Sequence, residues 1–264
     1  MTIRRLQNTN YGLQIAECAL RALTGIILLV AGIALGTEAP SGAEILALVD
    51  KASVAENRII EAEMTIHTRR ESRIIGTRSW IQGEDRSFTE YLSPPREAGT
   101  KMLKLGDELW TYSPSSDRII KISGHMLRQS VMGSDLSYED MMEDRRLSDV
   151  YAAEVTSEDS MLERSCWVLT LTAGVPDVAY YTRELWVDKT RHVVLKENRY
   201  GKSGTLLKTT EVLEVKRLGG RWVATRAVFK DALKSGNGTE FSIESSEFDA
   251  EIPDYIFSKA ALKE

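Results

Sequence analysis

The hydrophobic pattern changes period once and then holds but for one interruption. From Ala43 to about Asn57, AEILALVDKASVAEN places Ile45, Leu46, Val49 and Val54 on one stripe, a spacing that predicts a single amphipathic helix. In the next segment, IIEAEMTIHTRR, the residues Ile60, Ala62, Met64 and Ile66 alternate with Ile59, Glu61, Glu63 and His67. A period of two marks a strand with one apolar face. Such segments then recur as SRIIGTRSWIQ, RSFTEYL, TKMLKL, ELWTYS and DRIIKIS, separated by GED, SPPREAG, GD and PSSD, all of them turn compositions. Alternation breaks at GHMLRQSVMGSDLSYEDMMED, residues 124–144, and resumes from SDVYAAEVTS to TEFSIESSEFDA.

These segments predict about 11 to 12 antiparallel strands. Between Leu147 and Ala250 there is no Pro/Gly/Ser-rich run or charge block, only hairpin signals at Gly201–Gly204, Gly219 and Asn237. One continuous sheet of this size must roll up rather than present two wet faces. The expected fold class is therefore mainly β, a barrel or an incompletely closed barrel, covered by the N-terminal helix and by a helical lid made from the interruption.

The interruption holds four of the eight methionines. Met126, Leu127, Val131, Met132, Leu136, Met141 and Met142 form an apolar set, and methionine packs against irregular shapes without demanding one geometry. Ser137 is placed to cap a short helix, with Asp140 at the capping-box position. Held by few contacts, such a cover is expected to open and close at low cost.

The first 39 residues carry Arg4, Arg5 and Arg21, a 15-residue apolar run from Ala22 to Gly36, then small residues. That is the plan of a secretory signal, and the run falls short of the roughly 20 residues of a membrane span. A cleaved signal over 1–39 is preferred to a retained N-terminal anchor, with one domain over 40–264. Cys166 alone survives such processing, so no intramolecular disulfide is expected. The net charge of −5 argues against an electrostatic hold on nucleic acid or on anionic lipid headgroups.

Catalytic and metal signatures are not found. His67, His125 and His192 lie far apart with no cysteine or carboxylate at ligand spacing; acid pairs such as Glu84–Asp85 and Glu143–Asp144 read as solvated turn or helix-end groups; no nucleophile elbow occurs. NRYGKSGT lies between two strands and reads as a hairpin, not a phosphate loop. Expected are no catalytic residue, no metal and no cofactor. What remains is apolar surface in excess of what a narrow closed core takes, so some of it lines a concavity. The candidate ligand-binding residues are Met64, Ile66, Trp80, Leu103 and Trp110 from the strands and Met126, Leu127, Met132, Met141 and Met142 from the lid.

The series SPPREAGTKMLKLGDELWTYSPSSDRIIKIS, then QSVMGSDLSYEDM, then ELWVDKTRHVVLKEN resembles the outer-membrane lipoprotein-sorting, LolA-like family of periplasmic proteins, from about Ala43 to Phe257. The match includes the Gly-Ser-Asp, hydrophobic, Ser/Thr-Tyr-Glu-Asp motif at Gly133–Asp140. The resemblance implies an incompletely closed antiparallel β-barrel with a helical lid over a cavity that takes acyl chains, and no catalytic residue. It implies a periplasmic, monomeric carrier with lipid or lipoprotein acyl chains as cargo and an inner-membrane lipid exporter as donor. The carrier proper has a cavity-gating arginine, for which Arg69, Arg78 and Arg96 are candidates by region, and the cargo stays open between lipoprotein and free lipid. Two other readings fit the same scaffold: a regulatory or sensory protein docking on a membrane partner, and an enzyme acting on lipids.

Overall fold

A computed structural model describes residues 39–53, 57–67, 71–143 and 145–264; the segment read as an export signal lies, up to residue 38, outside them. Pro40–Glu264 folds as one unit. Helix α1, Gly42–Ser53, opens it. Its start is a capping box: the Glu44 amide donates to Ser41 Oγ, and Glu44 Oε2 accepts from the Ser41 amide at 2.8 Å, satisfying amides that the first turn leaves unpaired. Gly42 lies so close to a later strand that a Cβ there would meet the Ala153 carbonyl oxygen at 2.3 Å, so only glycine fits this approach.

Thirteen strands follow among the described residues. They are β1 (Asn57–His67), β2 (Ser72–Gln82), β3 (Arg86–Ser93), β4 (Lys101–Leu105), β5 (Glu108–Ser113), β6 (Arg118–Ile122), β7 (Tyr151–Met161), β8 (Arg164–Ala173), β9 (Thr182–Asp188), β10 (Val194–Tyr200), β11 (Leu206–Leu218), β12 (Arg221–Asp231) and β13 (Thr239–Phe248). All pairs are antiparallel, in the order β6-β5-β4-β3-β2-β1-β13-β12-β11-β10-β9-β8-β7. Two meanders, β1–β6 and β7–β13, are thus zipped together by the β1–β13 pair. The sheet does not close, because β6 and β7 remain edges. The barrel is incompletely closed, as expected, with one or two strands more than the alternation predicts.

Curvature has a visible cause. Register shifts interrupt β1–β13 at Glu61/Ala62, β9–β10 at Val194/Lys196 and β11–β12 on both sides of Glu214, and each such irregularity bends and twists its strand. The curl is read from what spans it: α1 packs on β7 and also meets β12, five strands away in the sheet order.

The two faces carry separate cores. On the concave face Ile45, Leu46 and Val49 of α1 pack against Leu169, Leu171, Leu185 and Val187, while Met64, Ile66, Ile75, Met102 and Leu109 pack under residues 124–142. On the convex face Phe88, Leu103 and Trp110 pack against the C-terminal segment through Ala250, Phe257 and Leu262.

The run from Ser123 to Val150 connects the two sheet edges across the concave side. It is less helical than expected: two 3-10 turns, Gly124–Arg128 and Val131–Gly133, precede the short helices α2 (Tyr138–Met142) and α3 (Leu147–Val150). Met132 and Gly133 both adopt positive φ, 52° and 75°. That left-handed pair ends any helix before the Ser137 cap.

Candidate functional site

Between the regions that α1 and the 124–142 insert cover, the concave face is left partly open, and here the sequence supplies small residues among large ones. One cavity of about 310 Å³ is lined by Ile60, Val194, Trp222, Ala224, Ile243 and Phe248, among others. A second, of about 280 Å³, shares Val194, Ala224 and Ile243 with it and continues over Thr210, Val212, Ala227, Phe229 and Phe241. The shared lining makes them neighbours along one apolar trough over β10–β13. Each sits near the lower end of the roughly 300–1,000 Å³ of ligand pockets. Ala224 and Ala227 open this space, since a larger side chain at either position would fill it.

Beside the trough lies a buried charged network that fastens the insert to the sheet. Asp140, whose side chain is 3% exposed, accepts from the Tyr180 hydroxyl at 2.5 Å and pairs with Arg199 at 3.3 Å and Lys208 at 3.0 Å. Arg183, 4% exposed, pairs with Glu197 at 3.0 Å and with Glu143, and donates to the Tyr151 hydroxyl at 3.0 Å. Arg199 also holds Glu197 at 2.7 Å, and the Tyr180 ring lies 5.4 Å from the Arg199 guanidinium, close enough for a cation–π contribution. Asp135 adds a neutral-donor anchor, accepting from the Thr239 hydroxyl at 2.8 Å and from the Asp231 amide at 3.0 Å. Arg73 of β2 donates to the Met132 carbonyl from the other side.

Electrostatics follow from this geometry. Burial pushes the Asp140 carboxyl up, but the Tyr180 hydroxyl, the Ser137 amide and Lys208 overcome it and hold the group below the usual carboxylate range. Burial likewise opposes Glu197, and Arg199 with Arg183 reverses it. Tyr180 is driven up by burial and by the Asp140 charge, so it stays a donor. Every charge in the cluster has an opposite partner, the condition under which buried ions are tolerated.

The expected ligand-binding residues fall in three places. Met64 and Ile66 lie in the concave core under the insert, and Met126, Leu127, Met132 and Met142 pack against that core. Met141 is 38% exposed. Leu103 and Trp110, with Trp80 packed against them, lie on the convex face under the C-terminal segment. Of the gating candidates, Arg78 pairs loosely with Glu61 at 3.8 Å, Arg96 is largely exposed, and Arg69 lies outside the described residues. Glu143, expected to be solvated, instead pairs with buried Arg183, and the insert is clamped where few contacts were expected. Sequence reasoning missed Arg183, Glu197, Arg199 and Lys208. The available signal was their parity: Arg183 shares a face with Leu185 and Val187, and Glu197 shares one with Arg199.

Among the described residues no three His, Cys, Asp or Glu side chains converge to hold a metal ion, and no helix is long and apolar enough to cross a membrane. A family model carrying the description "uncharacterized protein" matches residues 83–264. No curated protein matches the sequence. Among solved structures, a DUF1329 family protein from Desulfovibrio piger is 22% identical, with a TM-score of 0.77, over 84% of this chain and 97% of that one. An outer membrane lipoprotein-sorting protein domain from Vibrio parahaemolyticus is 23% identical, TM-score 0.75, over 84% and 98%. The LolA superfamily protein NE2245 from Nitrosomonas europaea is 24% identical, TM-score 0.70, over 84% and 100%. At these identities the likeness is one of fold.

Proposed function

The chain belongs to the family whose model spans residues 83–264, and on its LolA-like fold we propose that it is a periplasmic carrier of acyl chains, without catalytic activity of its own. The observation that carries this is the apolar trough over β10–β13, left open on the concave face between α1 and the anchored insert. Burying hydrocarbon is favourable by about 0.8 kcal/mol per methylene, so a chain of about 16 carbons gains roughly 12 kcal/mol gross. Lost ligand freedom and the alternative of burial in a membrane offset much of that, the near balance that a carrier needs to release its cargo.

In this reading α1 and the insert are fixed walls, and the trough is entered beside them. The methionine-bearing segment closes one end, with Met126, Leu127, Met132 and Met142 bearing on the core and Met141 at the surface. Lipoprotein or lipid acyl chains are the cargo, delivered toward the outer membrane. The test is purification without detergent, solvent extraction and mass spectrometry, followed by transfer assays between vesicles. Acyl lipid at near-stoichiometric levels and accelerated transfer support the carrier. Preparations repeatedly free of hydrophobic ligand, with no transfer, overturn it.

A further inference from the structure

We infer that the trough takes a single acyl chain, tail first, so that the cargo is a one-chain amphiphile, a fatty acid or a lysolipid, and not the three-chain terminus of a lipoprotein. The inference rests on the carrier reading and names its ligand class. Its first support is length. The lining runs along β12 from Trp222 to Phe229 and along β13 from Phe248 back to Phe241, which at about 3.4 Å per residue is about 24 Å. Phe229 and Phe241 close one end, their rings meeting edge to face at 6.5 Å and both packing on the core under the insert. The other end opens at Trp222, which is 39% exposed, beside Ala52 and Ser53 at the end of α1. Carbon–carbon bonds of about 1.5 Å advance an extended chain by about 1.3 Å per carbon, so about 18 carbons span the trough.

Volume then fixes the number of chains. The two cavities measure about 310 and 280 Å³ and share part of their lining, so together they give less than about 600 Å³. A methylene needs about as much room as a liquid water, about 30 Å³, so one 16-carbon chain takes about 480 Å³, two about 960 Å³ and three about 1,440 Å³. One fits and two do not. The lining suits hydrocarbon: of its polar members in the inner cavity, Glu197 is held by Arg183 and Arg199, and the Lys196 ammonium lies 4.6 Å from the ring of Trp186.

Neither flank yields room for a second chain. On one side α1 is tied to the end of the insert by the Asp50 carboxylate, which accepts from the Leu147 and Ser148 amides at 3.0 Å each. On the other the insert is fastened through the buried ion pairs of Asp140. The adjoining pocket of about 320 Å³ is lined by Asp50, Asp140, Glu143, Arg183 and Arg199, among others, and hydrocarbon laid there would displace water from charges without replacing its hydrogen bonds. A second chain left outside stays in water and forfeits the burial that drives binding.

The experiment counts chains. Stripped protein is titrated by calorimetry and native mass spectrometry with palmitate, 1-palmitoyl-glycerol 3-phosphate and a tripalmitoyl-cysteinyl peptide. Expected is saturation at one palmitate or one 1-palmitoyl-glycerol 3-phosphate per protein, with the three-chain peptide bound at least tenfold more weakly. Across saturated fatty acids, affinity should climb with length and level off near about 18 carbons, and Phe241→Ala, which opens the blind end, should move that point to longer chains. Saturable binding of two or more palmitates, or a tripalmitoyl peptide bound as tightly as palmitate, overturns the single-chain inference and leaves the carrier reading standing. If none of the three probes binds, the carrier reading falls with it. The wild-type stoichiometry decides the matter even if Phe241→Ala folds poorly.

Discussion

Asp140 shows what a single carboxylate does here. It lies at the start of α2, accepts from Tyr180, and neutralises Arg199 and Lys208 across the concave face. Removing one partner of a buried ion pair costs about 3–5 kcal/mol because the other charge is left uncompensated. Asp140→Ala is therefore expected to lower stability by about 3 kcal/mol, at the low end because Arg199 keeps Glu197. The pH dependence has a definite sign. Asp140 and Glu197 are both held below their ordinary values, so their contribution is complete above the unfolded values of about 4 and is lost as pH falls through the folded ones. Urea midpoints followed from neutral pH downward should hold until about pH 4 to 5 and then fall, with a shallower acid limb in Asp140→Ala; superimposable limbs would show that Asp140 carries no linked charge. The Ser137–Asp140 capping box was legible from four letters of sequence, and the Asp140 Oδ2 indeed accepts from the Ser137 amide at 2.7 Å. Its second set of partners was not, because Tyr180 comes from the loop before β9, Arg199 from β10 and Lys208 from β11, 40 to 68 residues downstream.

Among the elements, the insert departs furthest from its sequence expectation. The strands were readable because burial on one face imposes a period of two, and α1 because burial of one stripe imposes a period near four. The insert has no period, and its methionines do not reveal how firmly it is held. In the structure its amides are paired: Val131 donates to the Leu136 carbonyl at 2.9 Å, Tyr138 to the Gln129 carbonyl at 3.1 Å and Asp135 to Thr239 Oγ1 at 3.0 Å. Hydrogen exchange should therefore find residues 129–141 protected to a degree approaching that of the strands, not fast as in a loose flap. Thr239→Val removes both contacts of Thr239 to Asp135 while conserving shape, and should raise exchange across 131–138 by about tenfold or more, corresponding to roughly 1.5 kcal/mol, with β7–β9 unchanged. Rapid exchange of the insert in the wild type would instead restore the picture of an easily opened cover.

For the whole molecule, the location of the trough follows from how two meanders are joined. The first half of the sheet is filled by the insert and the far end of the second half by α1, which leaves β10–β13 to line open space. No sequence pattern shows this, because the bulges in β11–β12 change which parity faces inward; Trp222 and Ala224 lie inside the curve only after that change. Ala224 lines both cavities, so Ala224→Trp places an indole in a real void. Filling existing space avoids the strain of overpacking a full core, and the stripped variant should melt within a few degrees of the stripped wild type. Ligand that binds only the folded state stabilises it by about 2.7 kcal/mol at 100 times its dissociation constant, so palmitate or 1-palmitoyl-glycerol 3-phosphate in excess should raise the wild-type melting temperature. In Ala224→Trp that rise should disappear, and co-purified acyl lipid should fall at least fivefold. A variant that keeps both the lipid and the thermal shift would place the bound chain outside β10–β13, because the indole and the acyl chain cannot occupy the same volume.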